Sequence, residues 1–224
     1  MADACFSKET FRFLEDLEEN NDRDWFADNK KRYEDHLKVP ALRVIEGFAP
    51  QLKKISPHFM ATPRSLFRIY RDVRFSKDKS PYKTHIGIQF RHERSKDAHA
   101  PGYYLHVERG GVFAAVGIWH PAGPALRSIR EHIVEKPAEW KRASSAKAFQ
   151  GAFAMSGDRL KRGPRGFDSE HPLIEDLKWK DYIGVTELPD SFVTDPGLPK
   201  ALGRTYKAGT PFMRFLCEAL DVPF

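Results

Sequence analysis

The sequence predicts an α+β fold: an antiparallel or mixed sheet with N-terminal and C-terminal helices packed on it, in one domain over residues 1–224. Three observations carry this reading. Apolar residues recur at helical spacing through the first sixty or so positions, the period switches to two between Ser65 and Trp119, and the helical period returns after Pro121. A chain of 224 residues buries a core without needing a disulfide or metal to hold it. No repeat, low-complexity tract or interdomain linker stands out, so one domain accounts for the whole pattern.

The elements follow in order. Ser7 is an N-cap, and Phe11, Leu14 and Leu17 then recur on one helical face. Asn20-Asn21-Asp22 breaks this helix and caps the next, which carries Trp25, Phe26, Tyr33 and Leu37 on one side. Pro40 opens a third stretch with Leu42, Ile45, Ala49, Leu52 and Ile55, and Pro50 inside it predicts a bend. Strands are expected over 65–71 and 84–91, the second with Ile86, Ile88 and Phe90 on one face. Residues 94–102 are polar and read as an exposed loop. Two further strands, 103–109 and 112–119, form a hairpin, because Gly110-Gly111 suits a two-residue turn. Beyond Pro121 helices are expected from Pro124 through Ile133, around Trp140 and Phe149, after Asp195-Pro196, and from Thr210 with Phe212, Phe215, Leu216 and Leu220 inward. A Gly-, Pro- and Arg-rich loop over 156–172 and a short strand over 182–187 lie among them.

The hairpin allows a sharper inference. A turn at Gly110-Gly111 sets Val107 opposite Ala114, Leu105 opposite Val116 and Tyr103 opposite Ile118, a uniformly apolar and therefore core-facing set. The other face then shows Tyr104, His106 and Glu108 near Phe113, Ala115 and Gly117, with His85, Gly87, Gln89 and Arg91 on the adjoining strand. Small residues on that face leave room for a ligand, or equally for a covering helix.

The net charge of +6 suits anionic ligands. Its distribution is more informative than its size. Residues 68–83 carry Arg68, Arg71, Arg74, Lys77, Lys79 and Lys83 against Asp72 and Asp78, a surplus of four. Arg159, Lys161, Arg162 and Arg165 form a second acid-free run. Cys5 and Cys217 make no CxxC or Cys/His spacing, and nine histidines show no ligand spacing, so no metal and no cofactor is expected. No cationic stretch followed by an apolar run opens the chain, and no window approaches 18 apolar residues. A cytoplasmic address away from membranes is therefore expected. P-loop, G-x-G-x-x-G, G-x-S-x-G, HExxH and EF-hand patterns are all missing, which sets aside the chemistries they serve.

The most specific stretch is Arg68-Ile-Tyr-Arg-Asp-Val-Arg-Phe-Ser-Lys-Asp-Lys-Ser-Pro-Tyr-Lys83. With the opening Phe13-Leu-x-x-Leu-x-x-Asn-Asn, Trp25-Phe26, Tyr33, Tyr104-x-His106, Gly117-x-Trp119, Leu160-Lys-Arg162-x-Pro-Arg-Gly-Phe167 and His171-Pro172, it resembles an uncharacterised family of bacterial and fungal proteins, domain of unknown function 2461. The resemblance covers about residues 6–220 and implies one coherent domain, with no reaction attached.

Chemistry must then be read from the residues. Arginine forks suit phosphate or carboxylate. Arg68, Arg71, Arg74, Lys79, Tyr82 and Lys83, joined by Trp119, Arg162 and Arg165, are the expected ligand-binding set, with His85 and His106 the candidates for proton transfer. Spacing of three alternates faces in extended chain, so the three arginines converge only if the loop turns. Asp72 and Asp78 allow a second reading, a structural Arg–Asp network pinning a long loop. Trp119 is either a stacking platform or a core residue. Function is left among three classes: a site that binds or acts on an anionic small molecule; a nucleic-acid-binding module using Tyr70, Phe75 and Tyr82 among the cations; and a non-enzymatic protein-interaction surface. Oligomeric state is open.

Overall fold

The computed structural model describes residues 5–95 and 100–224. Residues 1–4, where the absence of a secretory signal is read, and 96–99, inside the expected polar loop, lie outside the described residues.

Helix α1 (Lys8–Glu19) starts where Ser7 predicts. Thr10 Oγ1 accepts from Ser7 N at 3.1 Å and donates to the His36 carbonyl at 2.8 Å, tying the helix start to a later turn. Asp22 caps α2 (Arg23–Asp28), its carboxylate accepting from Asp24 N and Trp25 N at 2.9 and 2.8 Å. The single second helix of the sequence reading is divided. A short α3 (Lys30–Tyr33) passes through a π-helical turn at Glu34–Lys38 into α4 (Val39–Ile55). Pro40 sits in the first turn of α4, where its missing N–H leaves no gap. Pro50, where a bend is expected, lies inside α4, which runs through it as one continuous helix. One lost backbone bond is outweighed there by burial of Val44, Ile45, Phe48 and Leu52.

Among the described residues, six strands form one antiparallel sheet, and no parallel pair occurs there. They are β1 (Phe59–Met60), β2 (Ile86–His92), β3 (Gly102–Val107), β4 (Phe113–Ile118), β5 (Ala154–Ser156) and β6 (Tyr182–Glu187), in the order β1-β2-β3-β4-β6-β5. The expected strand over 65–71 is an irregular extended segment instead. Leu66 bridges Ile88 and Phe67 N donates to Gly87 O at 2.9 Å, but no regular ladder continues from there.

The hairpin forms, with a register two residues from the expected one: Leu105 faces Ala114 and Tyr103 faces Val116. Its turn is Glu108–Gly111, closed by Gly111 N donating to Glu108 O at 3.1 Å, with φ +66° at Gly110. A type I′ turn over Gly110-Gly111 needs positive φ at both glycines, and only Gly110 has it. A slip of two preserves every face assignment.

Ile86, Ile88, Phe90, Tyr103, Leu105, Val107, Ala114, Val116 and Ile118 are accordingly buried together. Over them lie α4, α10 (Leu198–Ala208) and α11 (Thr210–Ala219). Phe48 meets Phe90 at a ring separation of 4.7 Å, and Tyr206 meets Tyr103 at 5.0 Å. Helices α5 (Gly123–Glu135), α6 (Pro137–Ser144) and α7 (Lys147–Ala152) extend this layer, with Trp140 and Phe149 against Phe212. Short α8 (Ile174–Leu177) and α9 (Asp190–Thr194) complete the chain. No helix among the described residues is long and apolar enough to cross a membrane.

Candidate functional site

After Phe67 the basic segment doubles back on itself. Arg71 N donates to Pro81 O at 2.9 Å, Lys83 N to Ile69 O at 2.8 Å, and Tyr70 bridges Tyr82. The base of this excursion is clamped from α2: Asn21 exchanges two 3.0 Å hydrogen bonds with the Tyr82 backbone, and Phe26 stacks on the Tyr82 ring at 4.0 Å. Tyr82 is therefore buried structure and not the ligand contact expected of it.

The tip is held by its own charges. Arg71 pairs with Asp78, and Arg74 forks onto Asp72 at 2.7 and 2.9 Å. Lys79 Nζ donates to Val73 O at 2.9 Å. Asp78 also accepts from Ser80 N and Oγ, and these contacts hold its carboxyl below the usual carboxylate range. The Arg–Asp network of the sequence reading thus exists at the tip. Arg162 and Arg165 do not join the segment. Their loop follows β5 and is pinned to the other edge, with Leu160 N on Lys178 O at 2.8 Å. Four strand spacings, roughly 19 Å, separate β2 from β5.

His85 and His106 are brought together, their rings 4.4 Å apart. They lie on the face of the sheet away from the core, as the alternation requires. His106 is satisfied at both nitrogens: Tyr104 Oη lies 3.2 Å from Nδ1 and Glu108 Oε2 lies 3.1 Å from Nε2. Burial pushes the Tyr104 phenol up to about 12, so it stays a donor to Nδ1, and Nε2–H then donates to Glu108. Phe113 stacks on the His106 ring at 4.6 Å. Gly87 makes room for this row, since a Cβ there would stand 2.7 Å from Tyr104 Oη and 3.0 Å from Phe67 Cδ2.

His85 has a different character. Its pKa is lowered from the ordinary 6.5 to about 4, first by burial and next by His106, with Lys83 and Arg71 adding to the shift and Glu108 opposing it. At neutral pH it is an uncharged proton acceptor beside cations. Lys83 is itself pushed down, by burial and then by Arg68; its ammonium donates to Arg68 O at 2.8 Å and lies 5.5 Å from the Phe67 ring centre. A narrow, mostly apolar cleft of about 10 Å³, lined by Tyr33, Leu37, Lys38, Leu66, Phe67, Ile69, His85 and Ile86, lies at this point.

The lowered His85 value predicts a pH effect. The unfolded chain takes up this proton near pH 6.5 and the native chain only near 4, so stability falls as pH drops through that window. His85→Asn should flatten the decline between pH 7 and 4.5, read from urea midpoints. Equal slopes in both proteins would refute the assignment.

Among the described residues, no group of three or more His, Cys, Asp or Glu is placed to hold a metal ion. Trp119, in contrast to the core alternative, is half exposed at the end of β4 farther from His106. There His120 meets buried Asp181, a pair that sequence reading missed because 61 positions separate its members.

A family model described as a conserved hypothetical protein, DUF2461, matches residues 9–215. The chain belongs to this family. Comparison with curated proteins found no match. The DUF2461 match spans the basic segment, both strand histidines and the Arg159–Arg165 loop, so it ties the whole constellation to one domain. It brings no reaction with it.

Proposed function

We propose that this DUF2461 protein binds, and acts on, an anionic small molecule bearing phosphate or carboxylate at the cleft beside His85. The observation that carries this reading is the field around one neutral imidazole. Burial and His106 do most to keep His85 uncharged, and Lys83 and Arg71 add a smaller positive field that Glu108 opposes. An anion placed there meets that field, and His85 is the base within reach of a proton on the same ligand. Arg71 serves in part, since Asp78 already shares its charge. Arg74 and Lys79 are occupied by the tip and stand outside the proposed contact set.

Inorganic phosphate and a panel of sugar phosphates should raise the melting temperature, with the rise lost in Lys83→Ala. Lys83 is partly buried and its ammonium bonds only to the Arg68 carbonyl, so that variant is expected to fold. No rise with any of these anions, or an undiminished rise in the variant, would remove the reading.

A second reading rests on Phe75, 94% exposed at the loop tip with the Arg74 guanidinium 5.8 Å from its ring centre, and on Tyr70, 58% exposed. Aromatics among cations are how single-stranded nucleic acid is held. Binding of a single-stranded oligonucleotide that weakens steeply with salt and disappears in Phe75→Ala would favour it over the first.

A further inference from the structure

Three polar side chains line the cleft beside His85: Tyr33, Lys38 and His85 itself, with apolar residues between them. Lys38 is spent, since its ammonium lies 2.9 Å from the Glu34 carboxylate one turn earlier. The other two are not. Among the described residues, neither the Tyr33 hydroxyl nor either ring nitrogen of His85 takes part in a hydrogen bond. His106 is the contrast: its ring centre lies 4.4 Å from that of His85, yet both its nitrogens are occupied, by Tyr104 and Glu108.

Tyr33 is held where it stands. It closes α3, its ring centre 5.3 Å from that of Phe26 and 6.4 Å from that of Phe13. The chain then makes the π-helical turn over Glu34–Lys38, a kind of turn found disproportionately at functional sites. Burial, and then Glu34 and Tyr70, push the Tyr33 phenol up to about 12, so at neutral pH it keeps its proton and donates. His85 is uncharged at the same pH and offers a lone pair at one ring nitrogen. The two residues together bring one donor and one acceptor to an otherwise apolar wall.

Volume decides what can enter. The cleft's volume of about 10 Å³ is that of a single water-sized sphere, so it admits one oxygen atom and excludes a phosphate group with its several oxygens. The anionic part of a ligand stays outside with Lys83, whose Cα is at most about 7 Å from that of His85.

We propose, resting on the anionic-ligand reading above, that the cleft is a hydroxyl subsite: the ligand carries a hydroxyl a few atoms from its anionic group, and that hydroxyl accepts from Tyr33 and donates to His85. The substrate class narrows to hydroxylated anions, such as phosphate esters of polyols. An analogue with a methyl group in that place leaves the phenol and the imidazole unpaired, which is how a polar site rejects it.

The test is calorimetric titration of the full chain with two pairs of phosphate esters, each pair exchanging one hydroxyl for one methyl: 2-hydroxyethyl against propyl phosphate, and 3-hydroxypropyl against butyl phosphate. In at least one pair the hydroxylated ester should bind about tenfold more tightly. Tyr33→Phe should erase that preference while leaving the affinity for the alkyl ester unchanged. The substitution removes a hydroxyl that bonds to nothing in the fold, so the variant is expected to fold, and His85→Gln supplies an independent second variant with the same expected loss of preference. Equal binding within both pairs would overturn the hydroxyl subsite and leave the anion reading standing. Binding of none of the four esters would remove the anion reading and this inference with it. A Tyr33→Phe variant that weakens both members of a pair alike would make Tyr33 a structural residue and overturn its assignment.

Discussion

Gly117→Ala should cost at least about 3 kcal/mol of folding stability, or prevent folding altogether. Gly117 has φ +126°, and a Cβ there would stand 2.0 Å from Tyr182 O, 2.9 Å from Ile183 Cα and 3.0 Å from Tyr182 C. All three are backbone atoms of the paired strand β6, so no side-chain rotation relieves the clash. Gly117 also pairs with Gly102 on the other side, which places the strain at the centre of the sheet. Gly110 is the matched control. Its φ of +66° is left-handed too, but nothing lies within 4 Å of its would-be Cβ. Gly110→Ala should therefore lose only about 1 kcal/mol, the conformational part. Urea midpoints of the two variants measure the difference. Equal losses would mean that β4 and β6 do not approach as described.

Phe48→Ala should destabilise by about 3–5 kcal/mol, through lost burial and the cavity left behind. Phe48 is fully buried in α4 and touches both layers of the core, with its ring 4.7 Å from Phe90 on β2 and 5.6 Å from Tyr206 on α10. Neighbours cannot close the gap without tilting a 17-residue helix off the sheet. The urea midpoint should fall while the slope of the transition stays unchanged, since the surface exposed on unfolding is nearly the same. A loss under about 1 kcal/mol would place Phe48 outside the packed core.

How far the sequence could be read depended on the range of the interaction. Ser7 and Asp22 were legible as helix starts because a cap acts over three residues. The faces of β2, β3 and β4 were legible because side chains alternate strictly, and that alternation placed His85 and His106 on one surface before any pairing was known. The register was not legible to the residue. Whether Gly111 joins Gly110 in positive φ depends on the loop around it, which is held from outside by Asp190 accepting from Gly110 N at 3.0 Å. The three-residue β5 and two-residue β1 carry too few positions to show a period at all.

The basic segment shows the same division. Its sign of charge and its richness in Arg and Asp are properties of the chain itself, and they located the region beside which His85 lines a cleft. Which cations are spent on partners and which face that cleft was decided only by the folded chain. Arg74 reaches Asp72 two residues away, Tyr82 is enclosed by Asn21, just before α2, and by Phe26 within it, 61 and 56 positions earlier, and Arg162 is carried to the far sheet edge.

By itself the sequence determined the α+β class, the helix starts, the core face of the sheet and the family. The first three follow from periodicity, capping and composition, which act within a few residues, and the family follows from the motifs that resemble it, above all Arg68–Lys83. Tertiary structure alone decided that His85 loses its proton affinity to burial and to His106 beside it, and that Asp181 meets His120. Burial and charge proximity are sums over residues distant in the chain, and only the packed sheet brings their terms together.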